Sequence, residues 1–189
     1  GVSGGLSFAS GTTSNGASGT VSISTGAATH GRGGDIALSI GKSKTDTGGD
    51  IVVEAGDSEP LTGGAVSLAT GEGTATTSGM IVLKSTNAGT LGTSGMLSFT
   101  SGTTSSGSSG SINVASGAAT GGKGGDILIS VGAGTAGIGG DISVTAGTST
   151  ASSGGALSLS SGYSTPTTSG SIAVRTVNAG TSGRSEERR

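Results

Sequence analysis

The 189-residue chain has no cysteine and no tryptophan. Without thiols it has no disulfide framework, no thiolate metal site and no thiol nucleophile, and redox chemistry says nothing about its compartment. Its aromatic residues are Phe8, Phe99 and Tyr163, and with so few large side chains a rounded interior cannot be filled. Charge is equally sparse. Only 11% of residues are charged and the net charge is −2, which removes the electrostatic case for a nucleic-acid partner. No apolar run approaches the roughly 20 residues that cross a bilayer as a helix. His30 is the single histidine, and its counterpart in the second half is Gly121. A catalytic base needs a nucleophile and an orienting acid in place. No such set is recognisable, and the chain reads as a non-enzyme.

What the chain has in abundance is glycine, 42 residues, and serine plus threonine, 63 residues. Composition alone suggests a low-complexity segment; periodicity argues for order. One glycine recurs at 4, 19, 34, 49, 64, 79, 95, 110, 125, 140, 155 and 170, always 15 residues apart except for one step of 16 between Gly79 and Gly95. Two and four residues after each comes an apolar pair, from Leu6/Phe8 and Val21/Ile23 through to Leu157/Leu159 and Ile172/Val174. A second glycine follows the first by seven residues in ten of the twelve repeats, the exceptions being Thr86 and Val177. Those two lie 91 residues apart and expose a higher-order duplication. LSFASGTTSNGASG at Leu6 returns as LSFTSGTTSSGSSG at Leu97, and GAATHGRGGDI at Gly26 as GAATGGKGGDI at Gly117. The expected organisation is two tandem six-repeat blocks, 1–91 and 92–183, followed by a charged tail, 184–189.

The apolar pair alternates with small polar residues, the period of a strand with one buried face, and its residues suit a pleated surface. Fifteen residues is too short for a helical hairpin, and glycine opposes helix. The pattern therefore predicts an all-β chain: a parallel β-solenoid (β-helix) of twelve coils of about 15 residues, with coils stacked at about 4.8 Å. Small residues nine positions after the coil glycine, such as Thr13, Ala28, Ser43, Ser58 and Gly73, are read as the inward face of a second wall, giving a flat, two-walled section. Glycines at both ends of the strand are read as corners that need left-handed backbone. Pro60 and Pro166 fit a loop or corner, where no ladder hydrogen bond is lost.

Gly-Gly-Asp-Ile places Asp35 and Asp50 at equivalent sites of adjacent coils, and Asp126 and Asp141 likewise in the second block. Coil stacking would bring each pair to about 5 Å, a spacing at which two carboxylates share a calcium ion. The alternative is an outward row whose charge is offset by Arg32 and Lys123. The motif resembles the glycine–aspartate nonapeptide of calcium-binding β-rolls, without that family's glycine spacing or nine-residue period. No other cofactor is implied.

The twelvefold glycine and apolar pattern resembles that of parallel β-solenoid proteins as a class. In composition the chain is similar to giant glycine- and serine-rich secreted repeat proteins of algae and related protists. With no capping segment at either end and no recognisable chemistry, the chain is expected to be a structural subunit of an extracellular or cell-surface filament or layer. Its partner would be itself, a homopolymer joined head to tail through uncapped coils and packed laterally through a small outward row. Serine and threonine around Thr12–Ser14 and Thr165–Ser169 would accept O-glycans, whereas Asn15, Asn87, Asn113 and Asn178 all lack an N-glycosylation sequence. A surface adhesin or carbohydrate binder, with Tyr163 and Arg175 as its exposed patch, and an ice-binding solenoid are the alternative roles. Gly1 opens the chain without methionine or leader, which reads as a processed product or a piece of a longer protein. The Arg184–Arg189 tail reads either as a dibasic processing end or as a solvated tail.

Overall fold

The computed structural model describes residues 3–177. The Arg184–Arg189 tail, Asn178 and Ala179 lie outside them. Among the described residues there is no helix and no β-strand, so the chain is neither all-β nor a β-solenoid, and no flat two-walled section exists. No described residue is buried. The accessible surface is 18866 Å² for a chain of 17.3 kDa. A compact domain of that mass exposes roughly 7,800 Å², and its unfolded chain roughly 25,000 Å².

Contacts divide the chain into two units, Gly1–Leu97 and Ser98–Arg189. Within each, the 15-residue period survives as a different local device. Bends occur at 14–16, 29–31, 44–46, 59–61, 74–76 and 90–92, and then at 105–107, 120–122, 135–137, 150–152 and 165–167. Pro60 and Pro166 sit in the middle of their bends, where proline's fixed φ is tolerated and its missing N–H costs nothing. Each bend lies inside a loop that ends at the first glycine of the next repeat and, except for 90–92 after Thr86, starts at the second glycine of its own.

Four of these loops are closed by a backbone hydrogen bond. The amides of Gly64, Gly79, Gly155 and Gly170 donate to the carbonyls of Gly56, Gly71, Gly147 and Gly162 at 2.8–3.0 Å. Gly64 and Gly155 are equivalent positions of the two units, as are Gly79 and Gly170, so both units close the same two loops. A fifth loop is closed through a side chain, where Thr25 Oγ1 donates to the Gly34 carbonyl at 3.1 Å.

These bonds explain why the expected ladders are missing. A solenoid needs each extended segment to exchange its N–H and C=O groups with the segment one coil away. Here the backbone partners lie within one loop, eight residues apart. Closing so short a loop costs less chain entropy than bringing successive whole repeats into register. The opposite wall also has only small residues to offer, so stacking would bury too little apolar surface to offset the ordering of so much glycine.

The repeat glycines owe their place to close approach more than to turning. At all eleven from Gly19 to Gly170, an added Cβ would fall within 4 Å of another residue, and at every one that residue is or includes the one six positions after the preceding repeat glycine. The tightest cases in this row are Gly49 against Ile40 Cγ2 at 2.9 Å and Gly140 against Val131 Cγ1 at 2.8 Å. The left-handed corners expected at the strand ends are not there. Among the described glycines only Gly16 (φ 121°) and Gly107 (φ 112°) have positive φ, and both lie inside bends. The 16-residue step is absorbed in the same way. Gly95 still meets Ser85, six residues after Gly79, while the bend that follows is displaced to 90–92. The extra residue therefore lies between Ser85 and Thr90.

Candidate functional site

The small row nine residues after each repeat glycine is not a second wall. Its hydroxyl-bearing members hold the bends. Thr13 Oγ1 accepts the Asn15 amide at 3.2 Å, Ser43 Oγ the Asp46 amide at 3.1 Å and Ser58 Oγ the Leu61 amide at 3.2 Å. In the second unit Thr104 Oγ1 accepts from Ser106 N at 3.3 Å, Ser149 Oγ from Ala151 and Ser152 at 3.3 and 2.9 Å, and Ser164 Oγ from Thr167 at 3.3 Å. Serine and threonine serve here because a short hydroxyl reaches an amide two or three residues ahead and substitutes for a backbone turn bond. The row is small for reach, not for wall-to-wall packing. The alternation of Ser/Thr with Ala and Gly in this row was the available sequence signal.

Gly73 occupies the same row without a hydroxyl. A Cβ there would meet the Thr77 carbonyl oxygen and lie 2.8 Å from its carbon. Because that neighbour is backbone, Gly73→Ala is expected to open the 71–79 loop and free the Gly79 amide. Amide exchange at Gly79 should accelerate to the rate of its unbonded neighbours, with Gly64 unchanged. Retained protection at Gly79 would show that the turn accommodates the methyl.

The four aspartates of the calcium reading are separated in character. Asp35 is paired with Arg32, Nη2 to Oδ1 at 2.6 Å, and Lys123 Nζ lies 2.8 Å from both carboxylate oxygens of Asp126. Asp50 and Asp141 have no ion-pair partner among the described residues. Calcium takes six to eight oxygen ligands, and no group of three or more His, Cys, Asp or Glu among the described residues is placed to hold a metal. Both ion pairs are solvent-exposed, a setting in which such pairs contribute about 0–1 kcal/mol. They stand at equivalent places of the two units. His30 lies in the 29–31 bend. Arg32 and Asp35 also border an open cleft shared with Glu72 and Met80.

The largest chemical feature is the apolar row itself. All 24 side chains of the twelve pairs are exposed, between 50% for Ile51 and 84% for Leu6 and Val174. From Val21 onward the first member of each pair is the more covered one, so the second projects further into solvent. Leu61 and Leu91 in the bends, and Ile138 just after one, are exposed as well. Exposed apolar side chains in such number are the raw material of an interaction surface. No described helix is long and apolar enough to cross a membrane.

No family model matches the chain, and neither a curated protein nor a solved structure does.

Proposed function

We propose that the chain is a structural repeat protein of an extracellular filament or surface layer, and that it assembles by covering its apolar rows with further copies of itself. One observation carries this reading: twelve apolar pairs at a period of 15 broken by one step of 16, every one of them exposed. Burying an aliphatic side chain removes roughly 60–120 Å² of apolar area. The twelve pairs together thus exceed the roughly 800 Å² that each partner contributes to a standard interface.

The same period argues for a second copy as the occupant. A row repeating every 15 residues stays in register along its whole length only with a partner of equal period, and another copy has that period by construction. Net charge close to zero leaves little repulsion between copies. The extracellular setting and the O-glycans on exposed Ser/Thr bends rest on composition.

Sedimentation of the full chain over a concentration series, followed by electron microscopy, tests this. Growth into filaments or layers is the expected result. A single monomeric species at high concentration overturns it, and thermal hysteresis from such a monomer would point to ice binding in its place.

A further inference from the structure

The geometry points to Asn15–Gly16 as a site of spontaneous covalent modification, at which the side-chain amide is lost through a cyclic imide. Asn15 and Gly16 lie in the exposed 14–16 bend. The Asn15 amide N–H is engaged by Thr13 Oγ1 at 3.2 Å, which fixes the backbone on the N-terminal side of the residue. The Asn15 side chain and the Gly16 amide make no hydrogen bond among the described residues. Gly16 has φ 121° with nothing within 4 Å of where a Cβ would stand. The Gly16 amide is thus unbonded, in an exposed bend, with no side chain of its own to hinder attack.

The step needs only hydroxide and water. Hydroxide removes the Gly16 amide proton, and that nitrogen attacks Cγ of Asn15. The N–Cγ bond forms, the Cγ–Nδ2 bond breaks, and ammonia departs after taking up a proton. Water then opens the five-membered imide at one of its two carbonyls, leaving aspartate or isoaspartate. Nothing is oxidised or reduced. The product adds a carboxylate to the first unit, taking the net charge from −2 to −3, and isoaspartate also inserts a methylene into the backbone at the bend. The equivalent position of the second unit is Ser106–Gly107, which shares the positive φ but has no amide to lose. The two units thus become chemically distinct with age.

The other described asparagines are controls within the same molecule. Asn87 is followed by Ala88 and Asn113 by Val114, and a Cβ, or a branched one, crowds the attacking nitrogen. The chain has no glutamine, and Asn15 is the only asparagine before Arg32, so tryptic cleavage isolates it. The full chain is incubated in mildly alkaline buffer and followed by peptide mass mapping, with isoaspartyl methyl transfer as a second readout.

The expected result is a gain of a single dalton, confined at early times to the peptide ending at Arg32. It should appear as two separable products, one of them methylatable, and be abolished by Asn15→Ser. An unchanged Asn15 peptide, or a gain that appears first in the peptide carrying Asn87 and Asn113, would overturn the assignment.

Discussion

In dilute solution, nearly every backbone amide of this chain is expected to exchange at the rate of an unstructured peptide, with few exceptions. Gly64, Gly79, Gly155 and Gly170 donate the only backbone–backbone hydrogen bonds among the described residues. Protection requires a bonded N–H and an opening cost, so slowed exchange should be confined to these positions and to the bend amides held by Ser/Thr hydroxyls. Far-ultraviolet circular dichroism should show neither helix nor sheet. The effect is large because a ladder-bonded repeat fold would protect amides in every apolar segment. Protection spread across Ile36–Leu38 or Ile127–Ile129 in the monomer would contradict the loop-closed architecture. The two readings differ over most of the chain, so one exchange map decides between them.

Charging the apolar row is expected to abolish self-association. In Ile36→Asp, Ile51→Asp and Val66→Asp combined, three members of the more covered row are replaced. Each loses roughly 1.5–3 kcal/mol of burial in the assembly, before the cost of placing an unpaired carboxylate in an apolar contact. Three such losses shift the association midpoint by a factor on the order of 1,000 or more. Because these side chains are already exposed in the single chain, the substitutions should leave the monomer's exchange pattern unchanged, which separates an assembly defect from a folding defect. Thr29→Asp, Thr45→Asp and Thr74→Asp combined, in the 29–31, 44–46 and 74–76 bends, add the same charge away from the row and should associate almost normally. Equal assembly of the apolar-row variant and the parent would remove the apolar row from the mechanism.

Particular residues show where pattern reading ended. The row of Thr13, Ser43, Ser58, Thr104, Ser149 and Ser164 was visible as a small-residue row, but its role was not. A short hydroxyl is small enough to face a wall and also placed to accept a turn amide, and only the observed bonds to Asn15, Asp46, Leu61, Ser106, Ala151 and Thr167 distinguish the two. The repeat glycines present the same ambiguity. Glycine is required both by left-handed backbone and by close approach, and the contacts of Gly49 with Ile40 and Gly140 with Val131 assign them to the second cause. At the candidate metal site, the spacing of Asp35 and Asp50 implied neighbouring carboxylates only through coil stacking, so that implication lapsed with the stack.

From the residues alone came the 15-residue period, the 91-residue duplication, the extra residue between Gly79 and Gly95, and the apolar pair in every repeat. Equivalence under translation is a property of the order of residues, and no folding is needed to read it. The hydrogen-bond partners were a matter for the tertiary arrangement. The amides of Gly64, Gly79, Gly155 and Gly170 each had two candidates, a carbonyl eight residues back in its own loop or one a whole repeat away, and the same period serves both. Glycine-rich loops close locally at small entropic cost. With no large side chains on a facing wall, nothing offsets the cost of stacking repeats within one chain, so the apolar row stays exposed.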